Sequence, residues 1–124
     1  MSLEFEQETY VLRGAIFEVY RELGPGFLES VYQECLEKEL ELRDIPFQTQ
    51  VELSISYKNQ RLNHFYKADL VCYGNIIIEL KACKLIEPIH RAQLINYLKA
   101  TKMRLGLLVN FNAHPQVEIE RIVL

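Results

Sequence analysis

The sequence has no tryptophan, only three cysteines, and no apolar run near the roughly 18 residues that a bilayer span needs. Without an indole to act as a sugar platform, the paired acids discussed below are poor candidates for glycoside cleavage. Cys35, Cys72 and Cys83 are odd in number, lie in apolar contexts and form no C-x-x-C or Cys/His cluster. That argues against a disulfide framework and against structural zinc, and favours reduced thiols in a cytoplasmic protein. The acidic N-terminus lacks the basic start of a secretory signal, so no membrane partner is expected. His64, His90 and His114 are scattered without ligand spacing. Repeats, linkers and low-complexity stretches are absent too, so residues 1–124 read as a single domain with one sizeable core.

A net charge of −3 excludes a generally basic nucleic-acid binder, but the average hides an asymmetry. Residues 1–44 hold eleven acids against four bases, whereas residues 80–104 hold six bases against Glu87 alone. If folding gathers that second segment on one surface it could meet phosphates; otherwise its charges are simply solvated helix faces.

The hydrophobic pattern predicts an amphipathic helix over 5–23, with Leu12, Ile16, Val19 and Leu23 at helical spacing, stopped by Gly24-Pro25-Gly26. A second helix is expected from about 28 to 43, with Val31, Tyr32, Cys35, Leu36 and Leu40 inward. Val51, Leu53, Ile55 and Tyr57 alternate with polar residues as in a strand with one buried face, and K-N-Q-R supplies a turn. A second strand is expected over 62–72, then a turn at Gly74-Asn75 and a third strand. Pro88 suits the first turn of a helix reaching about 102, followed by a buried strand from Leu105 to Phe111 and a last strand over 117–124. A crossover helix of that length places its flanking strands parallel, so the expectation is an α/β sandwich with a mixed sheet.

The stretch N-I-I-I-E-L-K-A-C, residues 75–83, carries the chemistry. Three isoleucines mark a strand covered on both sides, yet Glu79 and Lys81 are set into it. A buried charge costs several kilocalories per mole unless it is paired or bound to a metal. Glu79 and Lys81 are two apart and share a face, while Ile76, Ile78, Leu80 and Ala82 take the other. Asp69, on the preceding strand, is a second acid at the margin of a buried run. A two-residue loop would set Leu70 opposite Glu79; an odd loop or bulge would set Asp69 there, and that is the register we expect.

Two hard oxygen ligands with open water positions suit magnesium or manganese. Such an ion offsets the burial of both acids, activates a water and polarises a phosphoryl oxygen, with Lys81 orienting the nucleophile and stabilising charge in the transition state. The bare acid-x-Lys spacing is expected about once by chance in this composition, so its setting in an isoleucine strand beside Asp69 is what gives it weight. The plainer alternative is a structural ion pair of Glu79 with Lys81 or Lys84.

With Asp69 on one strand and E-L-K at 79–81 on the next, the chain resembles the PD-(D/E)XK nuclease superfamily. The resemblance implies a restriction-endonuclease-like αβββαβ core, here with an additional N-terminal helix, and a metal-dependent nuclease acting on nucleic acid, with DNA favoured over RNA as the partner and the choice between them not fixed by the sequence. Ala68 stands where the superfamily's name has proline. G-F-L-E-S-V-Y at 26–32 is similar, through Gly26, Glu29 and Tyr32, to the small-protein family named for its G-x-x-E-x-x-Y motif. The resemblance makes Glu29 a third metal-site acid, although a glutamate in a first helical turn is favoured by the dipole anyway. Gln93 and Tyr97 are similar to the Q-x-x-x-Y motif of RecB-like exonucleases, which implies that they line the nucleic-acid path; a phenol closing a core edge is the plainer reading of Tyr97. Tyr57, Phe65, Tyr66 and Tyr73 could stack bases or simply pack the sheet.

Two rivals remain: a binding module that keeps this fold without turnover, and an interaction protein, with a homodimer left open, whose Glu79–Lys81 pair only fixes packing.

Overall fold

The computed structural model describes residues 5–124; residues 1–4, on which the leader reading bears, lie outside them. In chain order the elements are α1 (Glu6–Leu23), α2 (Glu29–Leu42), β1 (Phe47–Tyr57), β2 (Gln60–Cys72), β3 (Ile76–Lys81), α3 (Pro88–Thr101), β4 (Leu105–Asn110) and β5 (Glu118–Val123). The five strands form one sheet in the order β1-β2-β3-β4-β5. Only β3 and β4, joined through α3, run parallel; the other neighbours are antiparallel. This is the mixed α/β arrangement expected, with α1 preceding the αβββαβ order and β5 extending the sheet.

Helices cover both faces. On one, Leu12, Ala15, Ile16 and Val19 of α1 and Tyr32, Leu36 and Leu40 of α2 pack on Leu70, Ile76, Ile78, Leu80, Leu107 and Val109. On the other, Leu94, Tyr97 and Leu98 of α3 pack on Ala68, Val71, Ile77 and Leu108. Each buried leucine, isoleucine or valine among them contributes roughly 1.5–3 kcal/mol by leaving water. Close approach of α3 depends on Gly106 in β4, where a Cβ would lie 2.8 Å from Leu94 Cδ1. β3 is buried from Ile76 through Leu80, which is why its apolar residues do not alternate.

The β1–β2 ribbon is longer than its apolar pattern suggests, starting at Phe47 and reaching Tyr57 before a two-residue turn at Lys58-Asn59. Both turn residues have positive φ, 48° and 65°, matching the twist of the hairpin. Midway the ribbon changes the side it presents. Phe47 and Cys72 pack with α1 and α2, but Val51, Leu53 and Ala68 pack with α3. Gln50, with φ 48°, sits at the break, level with Asp69.

Candidate functional site

Cys72 pairs with Ile76, so the hairpin loop is Tyr73-Gly74-Asn75, three residues long. The odd count gives the expected register: Leu70 lies opposite Ile78, and Asp69 comes level with Glu79. There the ordinary ladder ends and the two carboxylates take over its hydrogen bonds. The backbone N–H of Asp69 donates to Glu79 Oε2 at 2.7 Å, and the N–H of Leu80 donates to Asp69 Oδ2 at 2.8 Å.

Glu79 is only 4% exposed. Burial, and then the charge of Asp69, push its pKa up to about 8; the Asp69 N–H and Lys81 act in the opposite sense. Asp69 is also raised by burial, against the pull of the Leu80 N–H, Lys81 and Gln50. Two acids are thus held together where neither ionises easily. Among the described residues neither Lys81 nor Lys84 closes an ion pair on Glu79. Lys81 Nζ instead donates to Gln93 Oε1 at 3.3 Å. The structural ion pair is therefore not what compensates Glu79.

Glu29 is the first residue of α2, and its carboxylate accepts a hydrogen bond from the Ala82 backbone. Loss of water on its inner side and the charge of Asp69 raise its pKa, while Lys81 and the Ala82 backbone hold it down. The rest of the G-x-x-E-x-x-Y segment explains its placement. Gly26 has φ 109°, open to glycine alone without strain. Tyr32 stacks on Phe111 with centroids 4.6 Å apart, and its hydroxyl donates to the Gly24 carbonyl at 2.5 Å and accepts from the Phe27 N–H at 3.3 Å. Tyr32 thus pins the turn that delivers Glu29. Gln33, one turn on, donates to the carbonyl of Asp69 at 3.0 Å.

Gln93 and Tyr97 lie one turn apart on α3, and a cavity of about 290 Å³ is walled by Lys81, His90, Gln93 and Tyr97. Tyr97 is only 4% exposed and packs in the core beneath α3. Its pKa rises to about 12 through burial, then the charges of Glu79 and Asp69. His90 Nδ1 accepts the Glu87 N–H at 3.0 Å, completing a capping box that fixes the start of α3.

Reading the residues alone missed three groups that hold these side chains: Gln33, Gln50 and Asn110. Asn110 is fully buried and grips the backbone of Cys83 from both sides, Oδ1 accepting its N–H at 3.1 Å and Nδ2 donating to its carbonyl at 2.9 Å. It fixes the chain as it leaves β3. Cys83 itself lies beyond β3, which ends at Lys81, and its thiol donates to the Leu85 carbonyl at 3.2 Å. The basic segment divides: Lys81 and Lys99 face cavities, whereas Arg91 is bound to Glu120 at 2.7 Å.

The family model of the PD-(D/E)XK nuclease superfamily matches residues 6–122, nearly the whole chain. The chain belongs to that superfamily. PD-(D/E)XK nucleases generally use divalent metals. The fold resembles a crystal structure of the protein SSO0001, with a TM-score of 0.60 and 21% identity over 96% of this chain. The superfamily domain seen here spans 59% of that protein. Among curated proteins, none matches the sequence. Among the described residues no helix is long and apolar enough to cross a membrane.

The metal expectation meets one departure. Three acids, Asp69, Glu79 and Glu29, were expected as ligands, but no group of three or more Asp, Glu, His or Cys side chains among the described residues is arranged to hold an ion. Asp69 and Glu79 have turned to backbone N–H groups, and Glu29 to Ala82. The donor set of two hard, mutually repelling carboxylates still fits an ion such as magnesium, which is held by one or two carboxylates and keeps several waters.

Proposed function

We propose that this chain is a metal-dependent nuclease that hydrolyses phosphodiester bonds, with DNA preferred over RNA, and that it falls in the G-x-x-E-x-x-Y grouping of its superfamily. The observation that carries this reading is the Asp69–Glu79 pair, a buried and a half-buried carboxylate with raised pKa values beside an ammonium group. A structural protein gains little from such a pair, whereas a site for a divalent cation requires one.

In this reading Asp69 and Glu79 hold the ion, and Glu29 completes the acid cluster from the start of α2. A bound magnesium or manganese ion would supply Lewis-acid polarisation of the scissile phosphate and a more acidic water. Lys81 donates hydrogen bonds toward the attacking oxygen and the developing phosphorane charge. The oxygen of an attacking water forms the new P–O bond as the ester P–O bond breaks, and the proton that this water gives up is balanced by the one the departing oxygen takes from solvent. Gln93 fixes Lys81 and faces the substrate, and Tyr97, which stays a neutral phenol, forms the floor beneath it.

The test is cleavage of labelled DNA and RNA with manganese by the parent, Asp69→Ala and Lys81→Ala, with circular dichroism to establish folding. The variants should lose about a hundredfold or more of the activity. Equal cleavage by folded variants would show the activity to be a contaminant. The lack of a third assembled acid favours one other reading, a nucleic-acid-binding module without turnover. It predicts salt-sensitive binding and no metal-dependent cleavage by the parent.

A further inference from the structure

Beyond the cavity at Lys81 and Gln93 lies a second, of about 530 Å³, between the outer β1–β2 ribbon and α3, and the two meet at Tyr66 and Tyr97. The far end holds Ser56 from the ribbon and Lys99 from α3. No aspartate or glutamate forms the wall of either cavity, in a chain whose acids outnumber its bases by seventeen to fourteen. The groove therefore has a lysine toward each end, with Tyr66, Tyr97, Leu53 and Ile55 giving it an aromatic and apolar stretch between them.

Tyr66 stands at the junction. Its ring packs on Tyr97 with centroids 5.4 Å apart and planes at 43°, yet 49% of the residue is open to solvent. Packing on Tyr97 steadies the ring and leaves the rest of it facing the groove. A half-exposed aromatic face between two lysines matches an unstacked base flanked by its phosphates. A duplex keeps its base faces stacked and presents only backbone and base edges, so it has no free face to lay on that ring.

We infer that the groove between the β1–β2 ribbon and α3 binds single-stranded nucleic acid, with Tyr66 as a base-stacking platform and Lys99 as a phosphate contact one step from the acid cluster. The inference rests on the nuclease reading only for which phosphate is cut; binding does not require turnover. The change of side at Gln50 is what brings the ribbon over α3, so Tyr66 reaches this place because the strand alternation breaks there.

Fluorescence anisotropy of the full chain in EDTA tests it, using labelled oligothymidine, oligouridine and a duplex of equal length, at two salt concentrations. Single strands should bind more tightly than the duplex. Tyr66→Ala should weaken single-strand binding by about tenfold, Tyr66→Trp should restore it, and Lys99→Glu should weaken it and flatten its salt dependence. The oligothymidine and oligouridine arms separate DNA from RNA. A duplex bound as tightly as the single strands, or full binding by folded Tyr66→Ala and Lys99→Glu, would overturn the groove. Manganese-supported cleavage of the same oligomers keeps the two ideas apart. Tyr66-dependent binding without cleavage would remove the nuclease reading and leave the groove standing, whereas cleavage unaffected by Tyr66→Ala, with unchanged binding, would do the reverse.

Discussion

Asp69 and Glu79 each hold the other's strand: one carboxylate accepts the N–H of Asp69, and the other accepts the N–H of Leu80, next to Glu79. Two acids facing across neighbouring strands would ordinarily drive those strands apart. Here the backbone N–H groups tether them, and burial together with the charge of Asp69 pushes the pKa of Glu79 up to about 8, which disfavours ionising both acids at once.

A pH dependence follows. The folded pKa of Glu79 lies above its ordinary value of 4.5, so between 4.5 and about 8 the folded state binds more protons than the unfolded state. This contribution to stability is complete below 4.5 and is lost as pH rises toward 8. Melting temperatures of the metal-free protein should decline across that window. Glu79→Gln, which keeps the acceptor for the Asp69 N–H without a charge to bury, should decline less and melt higher at the alkaline end. Parallel curves for parent and variant would mean that Glu79 is ionised throughout.

Tyr32 should be structural before it is functional. Removing its hydroxyl in Tyr32→Phe breaks its links to Gly24 and Phe27 and should cost about 1–2 kcal/mol in urea unfolding. Because the turn it pins carries Glu29, cleavage should fall by more than the change in folded fraction explains. Unchanged cleavage by the folded variant would separate Glu29 from the site.

Asn110 gives a sharper structural test. Asn110→Ala leaves the N–H and carbonyl of Cys83 without their partner and should destabilise by about 2–3 kcal/mol. Asn110→Asp can accept the N–H but cannot donate to the carbonyl, so it should fall between the parent and the alanine variant near neutral pH. Chemical denaturation measures both.

The candidate site was legible where burial and charge conflict within a few residues. Isoleucines around Glu79 and Lys81 made that conflict visible, and requiring Asp69 to face Glu79 led to the odd-loop register that Tyr73-Gly74-Asn75 provides. Helical spacing was equally plain for α1, because Leu12, Ala15, Ile16 and Val19 share one buried stripe. The outer ribbon was legible as two strands and a turn, but its full length and its change of side at Gln50 were not. Residues 60–67 of β2 are exposed throughout, so neither face imposes an apolar alternation. Gln33, Gln50 and Asn110 escaped for another reason: a single amide has no periodicity, and its value lies in a partner distant in sequence, 36 residues away for Gln33 and Asp69.

The most direct measurement is a thermal-shift titration of manganese and magnesium against the parent, Asp69→Ala and Glu79→Gln. A ligand that binds only the folded state stabilises it by about 2.7 kcal/mol at a hundred times its dissociation constant. The parent should therefore melt several degrees higher with metal, with a larger shift at alkaline pH where Glu79 gives up its proton, and both variants should lose most of the effect. A parent that shows no shift, or variants that shift as far as the parent, would contradict a cation site at Asp69 and Glu79.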